Sequence, residues 1–101
     1  MTNTDAKLAE LSHAFNGLDW PRTRQLANQL LLQMPQHPLL RYIAGAAEME
    51  LQNMPMALTH LHIATELEPR RSDFAVQFAK ALALVKMTRE ARIAADRAME
   101  L

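Results

Sequence analysis

The sequence predicts an all-α fold built from helix pairs that repeat along the chain, and three observations carry that expectation. Prolines recur at a fixed interval, since the step from Pro21 to Pro55 equals the step from Pro35 to Pro69. Small residues recur in the same step: Gly45 is followed by Ala79, Ala57 by Ala91, Ala64 by Ala98, and Ala64-Thr65-Glu66-Leu67 by Ala98-Met99-Glu100-Leu101. Two glycines, frequent alanine and leucine and few β-branched residues favour helix and leave little material for strands. A period of about 34 residues carried by helical pairs describes a unit that buries its apolar face by stacking on its neighbours. The chain, residues 1–101, then forms one domain with units at 4–37, 38–71 and 72–101.

In the first unit, Thr4 or Asp5 caps a helix that runs to Phe15, and Asn16-Gly17 is expected to end it in the left-handed conformation. Leu18-Asp19-Trp20 makes the turn. Pro21 suits the first turn of the next helix, where a missing N–H costs nothing, and Pro35 stops that helix after Met34. The middle unit opens at Pro38. Its first helix carries Leu39, Leu40, Tyr42, Ile43, Ala44, Ala46, Ala47, Met49 and Leu51 around nearly its whole circumference, so it must be covered on several sides. After Asn53-Met54 the second helix, Pro55 to Leu67, buries Ala57, Leu58, Leu61 and Ala64 and presents Thr59, His62 and Glu66 outward. In the last unit Ser72 or Asp73 caps a fifth helix with Phe74, Ala75, Phe78, Ala79 and Leu82 toward the core and Gln77, Lys80 and Ala81 opposite. Thr88 is expected to cap a sixth, amphipathic through Ala91, Ala94, Ala95 and Ala98, with no solvating helix to seal its outer face.

With these landmarks the chain resembles the tetratricopeptide repeat family over nearly its whole length. The resemblance implies a right-handed superhelix of three antiparallel helix pairs, six helices in all. The slot where the family wants a small residue at the helix crossing holds Leu11, Gly45 and Ala79, and the one opening each second helix holds Thr23, Ala57 and Ala91. The first copy is degenerate, with Leu30 in place of the alanine found at Ala64 and Ala98, and the aromatic expected late in each first helix is replaced by Ala14, Glu48 and Leu82. The last segment is also similar to repeats that precede bacterial sulfotransferase domains, which would make the chain the scaffold of a larger enzyme.

Composition narrows the function. Eleven basic and eleven acidic side chains give a formal net charge of zero, without the long-range attraction to phosphate that drives nucleic-acid binding. The absence of cysteine rules out a disulfide framework and thiol chemistry. The amino-terminal residues lack a cleavage-like region and no apolar run approaches a membrane span, so the expectation is a cytoplasmic chain without membrane insertion. No phosphate loop or nucleophile elbow is present, and no enzyme activity, cofactor or metal is expected. His60 and His62, two apart on one helix, aim at different faces and make a poor chelating pair, while His13 and His37 lie in other elements. Arg70 and Arg71 at the end of the fourth helix fit the pull of the helix dipole on cations.

What the family resemblance implies is recognition of a protein or peptide, because the first helix of each pair lines the concave side where partner segments lie. On helical spacing that stripe holds Leu8, Ser12 and Phe15, then Leu39, Tyr42, Ala46 and Met49, then Val76 and Lys80, with Asp5, Asp73 and Ala83 along it. Tyr42 and Met49 are the expected anchors, an amphipathic aromatic and an adaptable thioether. The subclass that clamps a carboxyl terminus with lysine, asparagine and arginine is disfavoured, since the matching positions hold Leu8, Ser12, Ile43, Asp73 and Gln77. Self-association through the unsealed last helix is the remaining expectation.

Overall fold

Two short turn sequences, Gly17-Leu18-Asp19-Trp20-Pro21 and Leu51-Gln52-Asn53-Met54-Pro55, set the architecture. The structure, a computed structural model, describes residues 3–100 and all their side chains except those of 90, 91 and 94–100. It contains α1 (Asn3–Asn16), α2 (Trp20–Gln33), α3 (Pro38–Glu50), α4 (Met54–Leu67) and α5 (Ser72–Glu100), with no strand among the described residues. Each helix packs against the next, and α5 also touches α3.

The period is written into the backbone. Every turn hydrogen bond from Gly17 to Arg41 has a counterpart one repeat further on. Leu18 N donates to Phe15 O at 3.1 Å as Gln52 N does to Met49 O at 3.1 Å, and His37 N donates to Met34 O at 3.2 Å as Arg71 N does to Glu68 O at 3.1 Å. The left-handed residue of each turn is Leu18 (φ 60) and then Gln52 (φ 63), not Asn16 or Gly17 as expected. The helix carries on to Asn16 and the reversal falls one step later. Asp19 then caps α2, its Oδ1 accepting from Arg22 N at 3.3 Å, and Pro21 occupies the first turn. In α3 the cap is His37, whose Nδ1 accepts from Leu40 N at 3.3 Å.

The expected sixth helix is not a separate element. α5 runs unbroken for 29 residues, and Thr88, the expected cap, instead donates its Oγ1 hydrogen to Leu84 O at 3.0 Å inside the helix. The turn positions explain it. The first turn has Leu18, Asp19 and Pro21, the second has Gln52, Asn53 and Pro55, and the same positions of the third unit hold Lys86, Met87 and Arg89. Methionine offers no capping oxygen and arginine no obstacle to helix, so nothing stops the run. The inner face expected of Ala91, Ala94, Ala95 and Ala98 falls outside the described side chains. With α5 unbroken, the radius of gyration is 16.0 Å, against about 13 Å for a compact domain of this length.

The core follows the helix pairs. Leu11, Leu26, Ala27, Leu30, Leu40 and Ala44 join α1, α2 and α3, with Leu8 and Ile43 packed against them. Between α3 and α4 the chains cross at Gly45, where a Cβ would lie 2.7 Å from Leu61 Cγ and 3.3 Å from Ala57 O. Glycine is needed there for close approach, not for backbone freedom. α5 buries Phe74 and Ala81 and half-buries Gln77, Phe78 and Val85. That stripe is rotated from the expected one: Ala75, Ala79 and Leu82 are exposed, and Ala81 is interior. The exposed set is the face a returning sixth helix would have covered.

Candidate interaction surface

The residues expected on the inner face divide by burial. Ser12, Leu39, Val76 and Lys80 are exposed, with Val76 54% accessible. Leu8, Phe15, Tyr42 and Met49 are half-buried, and Ala46 is buried. Leu8 and Ala46 therefore act mainly in packing. Phe15 lies edge-on to Trp20, ring centroids 5.8 Å apart at 78°, which braces the first turn.

Tyr42 and Met49 are each tied to α5. The Tyr42 ring stacks on the wholly buried Phe74 at 4.9 Å between centroids and 21° between planes. On Phe74 also sits the Arg71 guanidinium, 4.3 Å from the ring centre, in cation–π contact. Arg71 donates to both Asp73 carboxylate oxygens, at 3.0 and 2.8 Å, and pairs with Glu68 at 3.6 Å. Those hydrogen bonds hold the Asp73 carboxyl below its usual range and raise Arg71 in return. Met49 Sδ accepts from Gln77 Nε2 at 3.7 Å, and Met49 lines a cleft of about 450 Å³ with Glu50, Gln52, Met54, Leu84 and Thr88. Tyr42 and Met49 thus belong to one α3–α5 seam, while Val76 is exposed on α5 and Phe15 belongs to another part of the molecule. Met54 and Leu84, and the bond that Gln77 makes to Met49, are not read from the sequence because they follow from the spacing between α3 and α5, which no single helical wheel contains.

A polar seam behind this surface fixes α2, α3 and α4 against one another. Glu48, 4% exposed, is ion-paired to the Arg24 Nε of α2, and Arg24 Nη2 lies 3.5 Å from its other carboxylate oxygen. Arg41 Nε donates to Pro35 O at 2.9 Å, and Arg41 Nη1 lies 3.1 Å from Nδ1 of the buried His60. A guanidinium only donates, so Nδ1 accepts and the His60 imidazole is neutral. Burial, and next the Arg41 charge, push His60 below its ordinary pKa, with Glu48 pulling the other way. Thr23, fully buried, donates to Asp19 O at 2.7 Å. Among the described residues no buried side-chain polar atom is without a partner.

Among the described residues no group of three or more His, Cys, Asp or Glu is placed to hold a metal ion, and no helix is long and apolar enough to cross a membrane. The described surface exposes large apolar side chains, among them Leu39, Met56, Val76 and Met87. Compared with family models, curated proteins and solved structures, the chain finds no match.

Proposed function

We propose that this chain is a non-catalytic protein-interaction module of the tetratricopeptide type, which takes an extended or helical segment of a partner protein along the face formed by α1, α3 and α5. The observation that carries the reading is the repeat period, present in proline and small-residue positions and again in the hydrogen bonds of successive turns. In such a stack the first helix of each pair lines the inner side. Here that side offers Leu39 and Val76 exposed, with Tyr42 and Met49 half-exposed beside them. The Met49–Leu84 cleft suits one apolar side chain of the guest, since methionine adapts to the shape it meets.

Peptides selected by display against the immobilised chain test this reading. Leu39→Asp with Val76→Asp should weaken their binding at least tenfold, while Gln29→Asp on the exposed side of α2 leaves it unchanged. Selected peptides that bind the double variant as well as the parent would remove the inner face from consideration. Tyr42→Ala is the poorer probe, because it also takes away the stack on Phe74.

A further inference from the structure

We propose that the uncovered face of α5 is a docking site for an amphipathic helix bearing carboxylates. This site is separate from the inner face, and its occupant is independent of what that face binds. Ala75, Ala79, Leu82, Lys86, Arg89 and Ile93 recur at alternating steps of four and three, which sets them in one stripe along the helix. All six are exposed, Leu82 at 48% and Ile93 at 50%. Together with Val85, the last four line a groove of about 360 Å³.

Two features of the molecule say what fits there. The first is continuity with an interface already formed. Ala75, Ala79 and Leu82 take the places that Arg41, Gly45 and Glu48 hold one unit earlier, and in α3 the Gly45 position is covered by a helix, with Ala57 and Leu61 of α4 against it. Ala79 keeps this crossing position small, which leaves room for a second helix at a slightly wider separation. The other feature is charge. Lys86 and Arg89 border the apolar groove, and among the described residues neither is in an ion pair. A helix with leucine or isoleucine toward Leu82 and Ile93, and glutamate or aspartate flanking them, satisfies both the groove and its rim. Two copies of α5 laid face to face would crowd Lys86 and Arg89 of both chains into one seam, which disfavours self-pairing. α5 runs unbroken to Glu100, so its own backbone does not fold back over this face.

The test uses synthetic helical peptides of about three heptads, with leucine at the a and d positions and either glutamate or lysine at e and g. Fluorescence anisotropy against the whole chain should show the glutamate peptide binding at least tenfold more tightly than the lysine peptide. Leu82→Asp should abolish that binding. Lys86→Glu with Arg89→Glu should reverse the preference, and Arg70→Glu, off the stripe and off the inner face, should leave it unchanged. Each altered side chain is exposed, and circular dichroism checks that helix content is kept. Equal binding of the two peptides, or none, overturns the proposal. So does concentration-dependent dimerisation that Leu82→Asp removes, since the occupant is then a second copy. A disulfide forming within single chains of an Ala79→Cys/Ala95→Cys variant also overturns it, because the chain then covers its own face.

Discussion

Gly45 and Ala79 hold the same place in successive units, yet the structure gives them opposite surroundings, and substituting each with leucine exposes the difference. At Gly45 even a Cβ meets Leu61 Cγ at 2.7 Å and Ala57 O at 3.3 Å, and both Ala57 and Leu61 are fully buried. The rest of a leucine side chain has nowhere to go except by parting α3 from α4. Overpacking of this kind costs about 3 kcal/mol at the upper end of its usual range. Leucine's better helix propensity returns about 0.8 kcal/mol of that. A net loss of about 2 kcal/mol lowers the melting temperature by about 8–16 °C in a domain of this size. Ala79→Leu, on an exposed face, should change stability by no more than about 0.5 kcal/mol. Urea unfolding of dilute samples, followed by far-ultraviolet circular dichroism, measures both. A Gly45→Leu variant as stable as the parent would show that α3 and α4 do not cross there. If Ala79→Leu costs as much as Gly45→Leu, something covers Ala79 in solution and the unbroken α5 is wrong.

Below about pH 6.5 the stability of the chain should fall, because His60 is held neutral by burial and by Arg41 in the fold but free to take a proton when unfolded. That contribution is fully present above the ordinary histidine value and is lost as pH drops through the depressed folded one. His60→Leu should therefore flatten the acid limb of a pH–stability profile, and an unchanged slope would count against the burial of His60. Arg24→Leu strands the Glu48 carboxylate and should cost about 1–2 kcal/mol, less than a fully buried pair because the Arg24 side chain is 40% exposed. Adding Glu48→Leu should restore most of that in chemical unfolding, and further loss in the double variant would refute the pairing. Leu18→Gly relieves a left-handed leucine that is 66% exposed, and should raise stability by up to about 1 kcal/mol in the same assay. Met87→Asp with Arg89→Pro copies the turn chemistry of Asp19 and Pro21 into α5. X-ray scattering should then give a radius of gyration falling from 16.0 Å toward about 13 Å, and a value unchanged would mean that the turn residues do not decide the break.

How much of this is legible in the sequence depends on whether the signal is local. The first four helices can be read because each boundary is marked in its own few residues, by Asp19 and Pro21, by Pro35 and Pro38, by Asn53 and Pro55. The fifth departs from expectation because the period extends past the point where its turn residues give out. Small residues at Ala79, Ala91 and Ala98 keep the step, while Lys86, Met87 and Arg89 have already dropped the stop signal. Where the two disagree, the local chemistry of capping wins in the structure, since a helix with no breaker continues for lack of any reason to end. The rotation of the α5 stripe follows from the same cause. Of the inner-face residues, exposure at Ser12, Leu39, Val76 and Lys80 is visible on a helical wheel. The stack of Tyr42 on Phe74 and the bond from Gln77 to Met49 are not, because both depend on how α3 and α5 lie together.

Positions made equivalent by the repeat hold unlike side chains, and this difference gives the molecule two ends. At the boundary of the first and second units stand Arg24 and Glu48, while at the next boundary the same positions hold Leu58 and Leu82. An ion pair accepts one geometry and penalises others, since a carboxylate 4% exposed tolerates no misplaced partner. The Arg24–Glu48 pair, with Arg41 against His60, therefore pins α2, α3 and α4 in a single arrangement. Leucines carry no such demand. Leu82, 48% exposed, meets any apolar surface that approaches it, and what it lacks in discrimination must come from Lys86 and Arg89 beside it. One end of the chain is thus built to hold its own helices in place. The other carries an apolar strip whose selectivity rests on two cations, so reversing those charges should change which helix it accepts while leaving the interior of the stack as it was.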